Sequence, residues 1–162
     1  MGVEIERKFL VGNDDWLQSL TAEPKPPLLF KQGYLSSDPE ATVRVRLEGD
    51  KGKLTIKGKS KGIARAEFEY EIPADDALQL LTDLCSKPLI EKTRHYRMEQ
   101  GLLWEIDVFE NDNKGLVLAE VELSSESQAI ELPSWVGEEV SSDSRYYNVN
   151  LVSNPFKLWG GE

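Results

Sequence analysis

Along most of this chain apolar and charged residues alternate one by one, a pattern that commits each stretch to an extended strand with two unlike faces. In the opening MGVEIERKFLV, Glu4, Glu6 and Lys8 take one face, and Val3, Ile5, Arg7, Phe9 and Val11 take the other. Charges two residues apart stand about 7 Å apart along such a face. Carboxylate oxygens suit a hard divalent cation, and an ammonium beside them suits a phosphate. In TVRVRLE, Arg44 and Arg46 oppose Val43, Val45 and Leu47. In KLTIKGK, Thr55, Lys57 and Lys59 oppose Leu54 and Ile56, and in AEFEYEI, Glu67, Glu69 and Glu71 oppose Phe68, Tyr70 and Ile72. Further on, Lys92, Arg94 and Tyr96 share a face. Glu105 with Asp107 and Glu120 with Glu122 do the same on the two strands that follow.

An open antiparallel sheet with one wet face alternates too, but it mixes Ser, Thr, Gln and both signs of charge. Here the charges are sorted by strand. Like charges on neighbouring strands repel, so repeating them without a ligand is unfavourable. The arrangement makes sense if the charged faces turn inward around a polyanion and a divalent cation. Closing the sheet also removes its edges. The expected fold is α+β and mainly β: a closed antiparallel barrel with a charged interior and a few helices packed outside.

The remaining segments supply those covers. Residues 13–20 read as a short helix with Asn13 as N-cap and Trp16, Leu17 and Leu20 on its apolar side. Residues 75–85 read as the clearest helix, its stripe running through Leu78, Leu81 and Cys85. Asp50 to Gly52 and the region of Gly101 read as hairpin turns, 125–130 as a short helix, 133–140 as irregular and 146–152 as a last helix.

At 162 residues the chain is read as one domain spanning 1–162. A net charge of −10 argues against nucleic-acid binding through a broad basic surface. No apolar run approaches the ~20 residues that span a bilayer, and no signal peptide is visible. With a single cysteine, Cys85, a cytoplasmic setting is expected. The lone His95 and the absence of a Cys cluster make a zinc site improbable, and no P-loop or G-x-S-x-G elbow is present.

The ordered set EIERKFLV, RVR, TIK, EYEI, EKTR, EIDVF and EVEL resembles the CYTH superfamily, the triphosphate tunnel metalloenzymes, from Glu4 to about Tyr147. The resemblance implies an eight-stranded antiparallel tunnel acting on a small triphosphate with Mg2+ or Mn2+. It implies that Glu4, Glu6 and Glu122 hold the metal, with Glu120 beside them. Lys8, Arg44, Arg46, Lys57, Lys92, Arg94 and Arg145 would grip phosphate, where an arginine fork can pair two oxygens. Glu69, Glu71, Glu105 and Asp107 would position those basic residues or assist a second metal, and Glu120 or Glu122 would orient the attacking water, with Lys8 assisting. The compact opening and the WVGEEVSSDSRYYN segment resemble small bacterial members that hydrolyse inorganic tripolyphosphate. Class IV adenylyl cyclases and thiamine triphosphatases share the tunnel, and for thiamine Trp104, Trp135 or Tyr34 could stack on the organic cation. A non-catalytic binder of polyphosphate or nucleotide is the reading from another class.

Overall fold

A computed structural model describes residues 2–18 and 24–160. Its strands are β1 (Val3–Val11), β2 (Leu28–Ser36), β3 (Ala41–Glu48), β4 (Lys51–Gly58), β5 (Ala64–Ile72), β6 (Ile90–Glu99), β7 (Leu102–Phe109), β8 (Val117–Glu122) and β9 (Val136–Glu139). The α-helices among the described residues are α1 (Ala74–Asp83) and α2 (Asn148–Ser153). All strand pairings are antiparallel, in the order β5-β4-β3-β2-β6-β7-β8-β1-β9.

The ring closes through β1. One edge of β1 pairs with β8 along Glu6 to Leu10, while the other pairs with β5 along Val3 to Ile5. Further along that second edge β9 takes over, at Phe9 opposite Glu139 and Val11 opposite Val136. β1 to β8 therefore form the closed barrel, and β9 is an added strand outside the ring.

Two of the apolar clusters lie outside this barrel, because the alternation sends the charged faces inward. Phe9, Trp104, Ile106, Ala119 and Val121 from β1, β7 and β8 pack beneath Trp16 and Trp135. A further cluster shares the inward face: Ile90, Phe109 and Leu118 lie opposite Gln32, Lys92 and Asp107 and pack with Tyr146 and Leu151 of the C-terminal segment. Val45 is covered by Ala77 and Leu81 of α1, together with Cys85.

Some local expectations give way to packing. The buried stripe of α1 runs through Ala77 and Leu81, whereas Leu78 is 49% exposed, since the small Ala77 lets the helix sit close on β4. Residues 15–18 form a 3-10 turn instead of a longer helix, with Asn13 Oδ1 accepting from the Asp15 N–H as expected. Leu17 points to solvent, and Ser19 and Leu20 lie outside the described residues. Residues 125–130 make a turn, not a helix. There the Gln128 side chain accepts from both the Ser124 N–H and its hydroxyl, a local alternative to helical bonding. The expected irregular stretch 133–140 contains β9, whose four residues are too few for periodicity to reveal.

The first hairpin turns one residue earlier than expected, at Gly49 and Asp50, because Gly49 adopts φ +61. Gly52 instead sits within β4, under α1. A Cβ there would stand 2.8 Å from the Ile72 carbonyl oxygen and 2.9 Å from Ala77 Cβ. Gly52→Ala is therefore expected to destabilise the protein by about 1–3 kcal/mol, read by urea unfolding. Unchanged stability would show that α1 is not tightly seated.

Candidate active site

The barrel encloses a cavity of about 290 Å³, and its two sides carry different charge. On one side β1 presents Glu4, Glu6 and Lys8. Glu6 lies opposite Glu122, Lys8 opposite Glu120, and Glu120 in turn opposite Glu105. On the other side stand Arg44 and Arg46 from β3, Lys53 and Lys57 from β4, and Lys92 and Arg94 from β6.

Each cation is held by what surrounds it. Asp107, 1% exposed, accepts from Arg94 Nε at 2.7 Å and Nη2 at 2.9 Å, and from Lys92 Nζ at 2.7 Å. Arg94 also reaches Glu105 at 3.1 Å and Glu120 at 3.4 Å. Lys8 Nζ pairs with Glu120 at 3.4 Å and donates to the Tyr146 carbonyl at 3.0 Å. Lys57 Nζ pairs with Glu4 at 3.0 Å. Arg46 donates to Gln32 Oε1 at 2.8 Å and pairs with Glu48 at 3.2 Å. Arg44 has weaker partners, Thr55 at 3.3 Å and Glu69 at 3.6 Å, and its buried Nε has none. Arg44 thus lines the cavity with a guanidinium that the fold leaves incompletely satisfied.

The carboxylates divide by environment. Burial, then Glu120 and Glu4, push the Glu6 carboxyl well above its ordinary range. Glu120, which burial alone would raise, is pulled down to about 2 by Lys8 and Arg94. Asp107 is also held far below the usual range, since Arg94 and Lys92 overcome the effect of its burial. Burial pulls the Lys92 ammonium down to about 7 and also lowers Arg46, which Arg44 and Arg94 push the same way.

Among the residues named from sequence, Glu4, Glu6, Lys8, Arg44, Arg46, Lys57, Glu69, Lys92, Arg94, Glu105, Glu120 and Glu122 line the cavity. Three stand elsewhere. Asp107 lies behind the lining as the anchor of Lys92 and Arg94. Glu71 is exposed and outside the lining, near the end of β5. Arg145 is on the outer surface, where a 3-10 turn aims it at Asp143 at 2.7 Å and over the rings of Tyr146 and Trp159. The cavity also takes Lys53, Arg65, Glu48 and Glu67, which share strand faces with residues already named. Parity alone could have found them. Gln32 and Asn148 touch the cations without any charge to announce them.

The donor set fits a hard divalent cation. Among the described residues, no three carboxylates are already gathered as a ligand cluster. Yet Glu4, Glu6 and Glu122 face one cavity, and Glu6 is crowded enough to favour its proton. A cation would relieve that crowding.

Comparison with known proteins agrees with this geometry. The profile of the CYTH domain matches residues 2–153. An inorganic triphosphatase of Acetivibrio thermocellus is 48% identical over 157 residues, covering 97% of each chain. One from Nitrosomonas europaea is 37% identical over 155 residues, covering 92% of this chain and 96% of that one. The crystal structure of an inorganic triphosphatase superposes with a TM-score of 0.62 at 34% identity, over 94% of this chain and 95% of that one. With its two-sided tunnel and this full-length similarity, the chain belongs to the CYTH domain family.

Proposed function

We propose that the chain hydrolyses inorganic triphosphate to diphosphate and phosphate inside the tunnel, with Mg2+ or Mn2+ bound by Glu4, Glu6 and Glu122. The observation that carries this reading is the cationic side facing a carboxylate side across one cavity of about 290 Å³. Arg44, Arg46, Lys92 and Arg94 bind the phosphate oxygens and neutralise charge that moves onto them as the bridging P–O bond breaks. A bound divalent cation supplies Lewis acidity and lowers the pKa of water. Glu122, at the edge of the carboxylate side, orients the water toward the terminal phosphorus and takes its proton. Glu120 is a poor base, because Lys8 and Arg94 hold it down to about 2.

The aromatic residues favour an inorganic substrate. Cations of the protein already lie over the rings that line the cavity: Arg46 and Arg94 over Phe30, Lys25 over Tyr96 and Lys8 over Tyr147. The Tyr34 hydroxyl accepts from Gln32, while Trp104 and Trp135 are buried in the outer core. Of the three aromatics that could stack on an organic base, only Tyr34 lines the cavity, and it is 6% exposed. The cytoplasm suits the buried thiol of Cys85, which needs no disulfide partner.

The test is phosphate release from tripolyphosphate, ATP and thiamine triphosphate, each with Mg2+, with Mn2+ and with EDTA. Preference for tripolyphosphate, lost in EDTA, is expected. Cyclic AMP from ATP would make the chain a cyclase, and tight binding without turnover would make it a receptor. Arg44→Ala is expected to raise KM for tripolyphosphate about tenfold or more with little loss of stability, since its partners within the fold are weak. Unchanged binding with a lowered melting temperature would reassign Arg44 to the fold.

A further inference from the structure

Two neutral amides sit among the tunnel cations. Gln32 is fully buried on β2, with its side chain on the charged side of the strand. Its Oε1 accepts from Arg46 Nε at 2.8 Å, and its Nε2 donates to Asn148 Oδ1 at 3.0 Å. Asn148 is the first residue of α2 and lines the cavity. Its Oδ1 also accepts from Lys92 Nζ at 3.0 Å. A continuous chain thus runs from Arg46 through Gln32 and Asn148 to Lys92, joining β3, β2, the C-terminal segment and β6.

The choice of amides has a physical consequence. A carboxylate at either place would satisfy the same N–H donors but would cancel charge that a polyanion needs. An amide oxygen accepts the hydrogen bond, fixes the direction of the cation and leaves its charge intact. Arg46 and Lys92 both need such restraint, because each is buried beside Arg94 and is repelled by it. Asp107 restrains Lys92 from one side, and Asn148 restrains it from the other.

The same stretch of chain touches a third tunnel cation. The Tyr146 carbonyl accepts from Lys8 Nζ at 3.0 Å, and the Tyr147 ring lies 5.8 Å from it. The Lys8 backbone N–H donates to Ser141 Oγ at 2.9 Å. The segment that carries Tyr146, Tyr147 and Asn148 therefore meets cations of both β1 and β6.

We propose that Gln32 and Asn148 are positioning residues for the triphosphate, setting the spacing and direction of Arg46 and Lys92 and making the start of α2 part of the binding site. The inference rests on the tunnel's being the triphosphate site. The amides act in the ground state as well as in the transition state, so they govern affinity more than the rate of the chemical step.

The experiment compares wild type, Asn148→Ala, Lys92→Ala and the double variant by calorimetric titration with tripolyphosphate, steady-state kinetics and melting temperature. Asn148→Ala is expected to weaken binding and raise KM about tenfold, with kcat within about twofold. In the Lys92→Ala background the same change should cost less, because one of the two cations it directs is gone. Gln32→Glu, which keeps the acceptor for Arg46 but adds charge, serves if Asn148→Ala does not fold, and it too should raise KM. Equal, additive losses in both backgrounds would mean that Asn148 only anchors the helix, and would overturn the proposal. Unaltered affinity in Asn148→Ala would do the same. Wild-type protein that takes up no tripolyphosphate would overturn the functional reading first, and this inference with it.

Discussion

Glu6→Gln is expected to lower kcat by roughly 100-fold or more, about 2.7 kcal/mol in barrier height, while the protein becomes no less stable. The two halves of this result have one cause. Glu6 sits opposite Glu122 with Glu120 and Glu4 nearby, and its carboxyl is raised well above the ordinary range by burial and by those neighbours. In the folded state it holds its proton to a higher pH than in the unfolded chain. A carboxyl raised in this way costs stability as pH climbs past the unfolded value, and costs it in full above the folded one. The neutral amide removes that cost. Stability of Glu6→Gln should therefore match wild type below about pH 4 and equal or exceed it at pH 8. Under the proposed assignment of Glu6 to the divalent cation, activity falls because that cation loses an anionic oxygen ligand. Melting curves at the two pH values, with kcat measured in Mg2+, decide the matter. Full activity in the variant would remove Glu6 from the site, and a lowered melting temperature at pH 8 would make it structural.

That so much of the tunnel could be read in advance follows from the strictness of period two. A strand has only two faces, so once Arg44 and Arg46 are inside, Val43, Val45 and Leu47 are directed outward. Sorted like charges are unfavourable except around a ligand, which is why the inward direction is already legible in the sequence. Short or irregular pieces carry no such redundancy. β9 has four residues, Val136 to Glu139, and is a strand only because β1 offers it an edge. In α1 both Leu78 and Ala77 are apolar, and steric closeness to β4 at Gly52 chose the smaller. Arg145 matched a motif but belongs to a tight turn, where Asp143 two residues away satisfies it. The role of Asp107 was blurred for a different reason. Its alternation gave its face correctly, but only the register beside Arg94 makes it the anchor beneath the cations. Gln32 and Asn148 were silent because amides do not stand out against a pattern defined by charge.

Asp107→Ala should be the most damaging single change to the fold, costing about 3–5 kcal/mol. The carboxylate is essentially removed from solvent, and it accepts from two Arg94 nitrogens and from Lys92 Nζ at 2.7 to 2.9 Å. Truncating it leaves an ammonium and a guanidinium buried side by side, with Arg46 adding to the repulsion on Lys92. For a chain of 162 residues, this corresponds to a melting temperature lowered by roughly 6–20 °C. The pH dependence has the opposite sign to that of Glu6. Asp107 is depressed far below its ordinary range, so its stabilisation is complete above about pH 4 and is lost only as pH falls toward its lower folded value. Wild type and Asp107→Ala should therefore differ most near pH 5 and converge in strong acid. They should differ less toward pH 8, as the variant's Lys92, already held down to about 7 with Asp107 in place, gives up its proton earlier. Urea unfolding across that range reads the difference directly. A loss below about 1 kcal/mol at pH 7 would mean that water or the other carboxylates take over the pairing of Lys92 and Arg94, and that the anchor lies in Glu105 and Glu120 instead.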